Sequence, residues 1–199
     1  MLIADHDELL VKHIKETLSG ELPQFPPVKP QARMAAVLVP LLKDQGVWKL
    51  LFTRRSDDLV DHRGEVSFPG GAVEPSDRDF VDTALREACE EIGVDARKIE
   101  ILGTFHAFYT VSNFYLVPVV GLIHWPLQIQ NNPSEVARTF CIPIQWLADQ
   151  NNWHESMRTL QNGETVPVIH YDLYEGEILW GITARITQEL LHLISKMPE

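Results

Sequence analysis

The chain has 199 residues, 45% of them hydrophobic, and 17 basic against 28 acidic side chains give a formal net charge of −11. That length and apolar share suffice for one sizeable core, and one folded domain is the default. No apolar run reaches the ~18 residues of a membrane span, the acidic N-terminus does not look like a signal peptide, and the negative charge argues against a nucleic-acid backbone as the main partner.

In chain order, Asp5 to Leu18 carries Leu9, Leu10, Ile14 and Leu18 at helical spacing and predicts an amphipathic helix. Pro23, Pro26, Pro27 and Pro30 then predict an extended connector, so residues 1–32 form a preface to a domain over 33–199. Ala35 to Leu42 and Val47 to Thr53 predict a hairpin turning across Lys43 to Gly46. Phe80, Val81, Ala84, Leu85, Ala88, Cys89 and Ile92 form an apolar stripe at helical spacing, with Ser76 and Asp79 as a capping-box pattern and Gly93 as the stop. Ile99 to Phe108 and Phe114 to Ile123 predict a second strand pair, in which Tyr109, Phe114 and Tyr115 belong to the sheet core. Thr139 to Ile142 predicts a short strand and Ile144 to Gln150 a short helix. Val166 to Leu173 and Glu177 to Leu179 predict further strands, and Ile182 to Ile194 a closing helix. Mixed strands between helices indicate an α/β class, an α/β/α sandwich with a mixed β-sheet. Cys89 and Cys141 sit among apolar residues, which predicts two buried free thiols in a reducing, cytoplasmic compartment.

Chemistry concentrates on the polar face of the helix over 80–92. Glu87 lies three residues before Glu90 and four before Glu91, so the three carboxylates leave one helix face as neighbours. Like charges at that spacing destabilise a helix, and a hard divalent cation with oxygen ligands is the simplest compensation. Arg86 lies four residues before Glu90 and can pair with it. A glycine loop, Phe68-Pro69-Gly70-Gly71, comes just before this helix. No His or Cys pair has the spacing of a zinc site.

Gly71 through Val94 resembles the Nudix box, G-x5-E-x7-R-E-U-x-E-E-x-G-U with U aliphatic. Arg86 to Val94 fits position by position if Ala88 and Cys89 are accepted at the looser sites, whereas Asp77 stands where the box begins its acidic series and is followed by eight residues rather than seven. Asp77 is accordingly given no metal role. Upstream, Leu51-Phe52-Thr53-Arg54-Arg55-Ser56, His62-Arg63-Gly64-Glu65 and Phe68-Pro69-Gly70-Gly71 are similar to the signature of the coenzyme A pyrophosphatase subgroup. Thr83 to Glu87, Val117 to Gly121 and Trp180 to Ala184 look like its other landmarks, so the resemblance spans roughly residues 33 to 195. It departs at Val60, where the subgroup usually has arginine.

The resemblance implies a Nudix fold and metal-dependent hydrolysis of a pyrophosphate bond with Mg²⁺ or Mn²⁺. Glu87 and Glu91 are the best-placed ligands, and Glu90 is either a third ligand or held by Arg86; carbonyls near Gly71 and Ala72 can complete the shell, since glycine lets backbone approach a ligand. In relatives the general base is often a glutamate outside the box, and Glu135 is the candidate here; alternatively Glu90 orients the water. Arg54, Arg55, His62, Arg63, Gly70 and Gly71 are candidate substrate contacts. The implied partner is a small nucleotide, with neither nucleic acid nor membrane, and a homodimer remains open. The leading substrate is coenzyme A or an acylated or oxidised form, cleaved to 3′,5′-ADP and 4′-phosphopantetheine or its derivative. The alternatives are ADP-ribose, NADH or another nucleoside diphosphate derivative, and a non-catalytic nucleotide-sensing domain.

Overall fold

The computed structural model describes residues 3–18, 25–26, 28–29, 31–59, 62–160 and 163–197. Val60 and three of the connector prolines, Pro23, Pro27 and Pro30, lie outside the described residues. Helix α1 (Ile3–Leu18) precedes β1 (Arg33–Asp44), β2 (Val47–Arg55), the short β3 (Val66–Ser67) and β4 (Gly70–Ala72), and helix α2 (Phe80–Ile92). Then come β5 (Ile99–Thr104), β6 (Phe108–Tyr109), β7 (Phe114–Ile123), β8 (Val136–Pro143), α3 (Ile144–Ala148), β9 (Trp153–Thr159), β10 (Thr165–Tyr171) and α4 (Gly181–Ser195).

Strand β1 is the axis of the sheet because both of its faces are apolar. Ala36, Leu38 and Leu42 pack with Phe80, Ala84, Ala88 and Ile92 of α2, while Ala35, Val39 and Leu41 join Ile14 of α1 and Ile186 and Leu190 of α4 on the other side. A two-residue period in the strand thus serves two helical layers, and the α/β/α sandwich follows. Each fully buried leucine or isoleucine in these layers contributes roughly 2–3 kcal/mol. The sheet is mixed: β1 runs antiparallel to β2 and β4 but parallel to β7 over ten registered pairs from Arg33↔Phe114 to Leu42↔Ile123. Strand β2 passes on to β8, in register from Lys49↔Pro143 to Arg54↔Arg138 with an irregularity at Arg55.

Several local expectations are corrected. Helix α2 starts at Phe80 rather than at Ser76: Asp79 is extended (φ −159°, ψ 179°) and its carboxylate accepts the Asp82 N–H, while residues 74–77 form a separate turn. Gly93 does end the helix, in the left-handed region at φ 66°, where its N–H satisfies the Cys89 carbonyl. The second strand pair divides into β5 and β6, both antiparallel to β7, and Tyr109 is 51% exposed rather than in the core. Glu177 to Leu179 makes no strand; it has an isolated bridge from Glu177 to Tyr174, and the Leu179 carbonyl accepts the Tyr171 N–H at 2.8 Å. Strand β9 has no counterpart among the predicted elements, because the residues of Trp153-His154-Glu155-Ser156-Met157-Arg158-Thr159 are largely exposed; among the described residues it forms a two-stranded sheet with β10. Trp180 stacks on His170 at 5.9 Å just before α4. Cys89 and Cys141 are both free and partly buried, and burial pushes the Cys141 thiol up to about 11. No helix among the described residues is long and apolar enough to cross a membrane.

Candidate active site

The site is organised around one guanidinium. Arg86 has five N–H donors, and five hydrogen bonds are present: Nε to Asp77 Oδ1 (3.0 Å), Nη1 to Glu87 Oε1 (2.9 Å) and Glu90 Oε2 (3.1 Å), Nη2 to Asp77 Oδ2 (3.1 Å) and the Ala72 carbonyl (3.0 Å). It therefore ties the strand of the glycine loop to the helix. Asp77 is the other half of this joint. Its Oδ2 also accepts the Glu74 N–H (2.8 Å) and the Thr83 hydroxyl (2.9 Å). Burial alone would raise its pKa, but Arg86, the Glu74 amide and Thr83 outweigh that and hold it below the usual carboxylate range. The shifted acidic residue of the box is thus committed to Arg86.

The carboxylates of α2 stand in three different environments. Glu90 is half-exposed and held by Arg86. Glu87 lies against the glycine loop so closely that a Cβ on Gly71 would fall 2.4 Å from Glu87 Oε1. Burial, helped by Glu90 and Glu135 and opposed by Arg86, raises the Glu87 pKa. Glu91 is 3% exposed, and its Oε2 has no hydrogen-bond partner among the described residues. Burial first, then Glu87 and Glu135, push the Glu91 carboxyl up to about 8 against the pull of Arg55 and the Gly70 amide.

A loop closes the far end of the helix. The Gln130 and Asn132 N–H groups donate to the Ile92 and Glu91 carbonyls at 3.0 and 2.8 Å, satisfying acceptors that a helix end leaves open. The same loop carries Glu135, whose Oε1 accepts Asn132 Nδ2 at 3.0 Å and whose carbonyl accepts the Ser56 N–H at 2.8 Å. Glu135 is thereby within electrostatic reach of Glu87 and Glu91.

The two arginines of β2 part company. Strand alternation puts Arg55 with Leu51 on the α2 side, where it acts on Glu91, and its Nε is buried without a partner among the described residues. Arg54 goes with Phe52 to the other side. It donates to Asp57 at 3.0 and 2.8 Å and lies 3.4 Å from Glu177. His62 is exposed on Glu65 (2.9 Å), and Arg63 is exposed with Asp57 in its field. Phe68 is buried and stacked on Phe52 at 4.8 Å, so it packs the glycine loop.

Among the described residues, no three His, Cys, Asp or Glu side chains converge as a ready-made metal cage. What the site offers instead is a short set of oxygen donors, Glu91 Oε2 unpartnered and Glu87 beside the glycine backbone. That donor set fits a hard cation that completes its shell with water and substrate oxygens.

Comparison with protein families matches the NUDIX domain over residues 32–161. The chain belongs to the Nudix hydrolase family. Among curated proteins, this Nudix hydrolase is 36% identical over 178 residues to one named "Uncharacterized Nudix hydrolase NudL" from Pectobacterium atrosepticum, covering 88% of this chain and 91% of the other. A protein of the same name from Photorhabdus laumondii is 36% identical over 159 residues, covering 79% and 83%. Among solved structures, the Nudix hydrolase RenU from M. smegmatis aligns with a TM-score of 0.58 at 18% identity, covering 84% of this chain and 88% of that one. A MutT/nudix family protein from Enterococcus faecalis gives 0.53 at 18% identity, covering 94% and 70%. At such identities the structures attest the fold alone.

Two residues of the site had no role in the sequence reading. The Asp77–Arg86 pairing was obscured by the extra residue between them; the signal was an acid in the loop and an arginine on the helix. Asn132 reads in sequence only as a turn residue three before Glu135, because its bond to the Glu91 carbonyl is made only by the fold.

The closeness of Gly71 gives a direct test. Gly71→Ala is expected to displace the Glu87 carboxylate and to weaken activation by Mn²⁺ at least ~10-fold, with the far-ultraviolet circular dichroism unchanged. Wild-type activation by Mn²⁺ in that variant would count against Glu87 as a metal ligand.

Proposed function

We propose that this Nudix hydrolase cleaves the pyrophosphate bond of coenzyme A, or of an acylated or oxidised derivative, giving 3′,5′-ADP and 4′-phosphopantetheine or its derivative. The observation that carries the hydrolytic part is the unpartnered, buried Glu91 Oε2 among acidic neighbours at a glycine loop. Such an oxygen is costly to leave unpaired unless a ligand takes it.

Glu87 and Glu91 would hold Mg²⁺ or Mn²⁺, with a glycine-loop carbonyl and water completing the shell. The bound ion supplies charge neutralisation on the diphosphate and makes water a better nucleophile at neutral pH. Arg86 keeps Glu87 and Glu90 in place, and Glu90 either joins the ligands or orients water through that pairing. Glu135 is the general base: as the water oxygen forms its new bond to phosphorus, the water proton passes to Glu135. The bridging P–O bond breaks with its electron pair on the leaving phosphate. Arg55 supports binding of a substrate phosphate, because its buried Nε is a donor without a protein partner among the described residues.

The coenzyme A assignment is supported by the signature over 51–71, which carries Arg55 and the glycine loop. Arg54, His62 and Arg63 are proposed contacts of the same segment, although Arg54 would first have to leave Asp57 and Glu177. Val60, at the arginine position of that signature, favours a second reading, another nucleoside diphosphate derivative such as ADP-ribose or NADH.

The test is mass analysis of products from a mixture of coenzyme A, dephospho-coenzyme A, ADP-ribose and NADH with Mg²⁺ or Mn²⁺. 3′,5′-ADP and phosphopantetheine are expected first, with kcat/KM for dephospho-coenzyme A lower by ~10-fold or more because the 3′-phosphate contacts are missing. Equal rates for the two would remove the specificity, and faster release of AMP from ADP-ribose or NADH would move the substrate. No metal-dependent cleavage of any of them would leave a nucleotide-sensing domain.

A further inference from the structure

We propose that Asn132 is the positioning residue that holds the Glu135 carboxylate toward the acidic face of α2. This rests on the assignment of Glu135 as general base. A glutamate on a loop has three rotatable side-chain bonds, so a base in that place needs something to fix it. Asn132 is the one described residue bonded both to the end of α2 and to the Glu135 side chain. Its N–H donates to the Glu91 carbonyl at 2.8 Å, and its Nδ2 donates to Glu135 Oε1 at 3.0 Å. Its carbonyl accepts the N–H groups of Glu135 (3.0 Å) and Val136 (2.8 Å), which closes the turn between them.

The amide itself is oriented. Asn132 Oδ1 accepts the Ser134 hydroxyl at 2.7 Å and the Ser134 N–H at 3.2 Å, so the amide nitrogen is the end that faces Glu135. On the opposite side the Glu135 carbonyl is tied by the Ser56 N–H, next to Arg55. The loop is therefore clamped from α2 and from Ser56, the residue after β2, with the Glu135 side chain held by a single neutral donor. A bond to one carboxylate oxygen leaves the other to take the proton of the attacking water. Nothing in the local sequence demands an asparagine here beyond the turn, which an aspartate would cap equally well through Oδ1. The Nδ2 donor is what aspartate lacks.

Asn132→Asp is therefore the selective variant, since it keeps the cap on Ser134 and removes the donor to Glu135. With coenzyme A and Mn²⁺, it is expected to lower kcat ~10- to 100-fold, part of the factor that a general base supplies. KM and the half-saturating Mn²⁺ concentration should stay within about twofold, as for a step made only in the transition state. In a Glu135→Gln background, Asn132→Asp should change kcat by less than about twofold, because two residues that act as a unit are not additive. Asn132→Ala serves as a second variant without the added charge and should behave alike. Wild-type kcat in both single variants, or the same factor lost in both backgrounds, would overturn the assignment. A wild-type protein that cleaves no diphosphate would overturn the proposed function instead, and Asn132 would fall with it.

Discussion

Glu91→Gln is expected to reduce turnover by ~10²-fold or more, as when charge stabilisation at a reacting phosphate is lost, while the fold survives. The carboxylate is 3% exposed, and the amide is of nearly the same size and shape. Its second effect is on stability. The folded carboxyl titrates near 8 against an ordinary 4.5, so between those values the metal-free fold keeps a proton that the unfolded chain has released. Stability of the metal-free wild type therefore falls as pH rises from about 5 to about 8, by an amount on the order of a few kcal/mol. Glu91→Gln removes that dependence. In the presence of chelator, thermal unfolding at pH 8 should find the variant at least as stable as wild type, although it is nearly inactive. Mn²⁺ should raise the wild-type midpoint and leave the variant almost unmoved. A variant with near wild-type turnover would refute the metal assignment; a wild-type midpoint independent of pH would refute the buried-carboxyl account.

The largest stability loss is expected at Arg86. Arg86→Ala removes five hydrogen bonds at once and leaves the Asp77 side chain, 4% exposed, with only the Glu74 amide and Thr83 hydroxyl. Breaking a buried ion pair from one side typically costs about 3–5 kcal/mol, because the remaining charge is stranded. For a chain of this size that corresponds to a midpoint lower by roughly 10 °C or more. Arg86→Lys keeps the charge but has three donors in place of a planar fork, so it should recover only part of the loss. Calorimetry of both variants decides the matter. A midpoint within about 2 °C of wild type for Arg86→Ala would show that the glycine loop is held by other contacts.

These two residues illustrate what could be read without coordinates. Helix α2 was legible because its stripe of Phe80, Ala84, Ala88 and Ile92 fixes which face is buried, and that in turn sets Glu87 and Glu91 side by side. The spacing of Arg86 and Glu90 gave their pairing for the same reason. Local periodicity also gave the β1–β2 hairpin and α4. It misjudged the start of α2, since Ser76 and Asp79 both satisfy the local rule for a cap, and only the anchoring of Asp77 by Arg86 decides between them.

The sequence by itself determined the family, the helix over 80–92 and its acidic face, because these rest on residues within one or two turns of each other. Tertiary structure alone decided the parallel pairing of β1 with β7, which joins segments about eighty residues apart and leaves no local pattern. It alone decided that Arg55 faces Glu91 while Arg54 faces Glu177, since alternation separates neighbours without saying which side meets α2. It also decided the burial that pushes the Glu91 carboxyl up and the bond from the Asn132 N–H to the Glu91 carbonyl, because desolvation and a hydrogen bond across about forty residues depend on where the chain returns to itself.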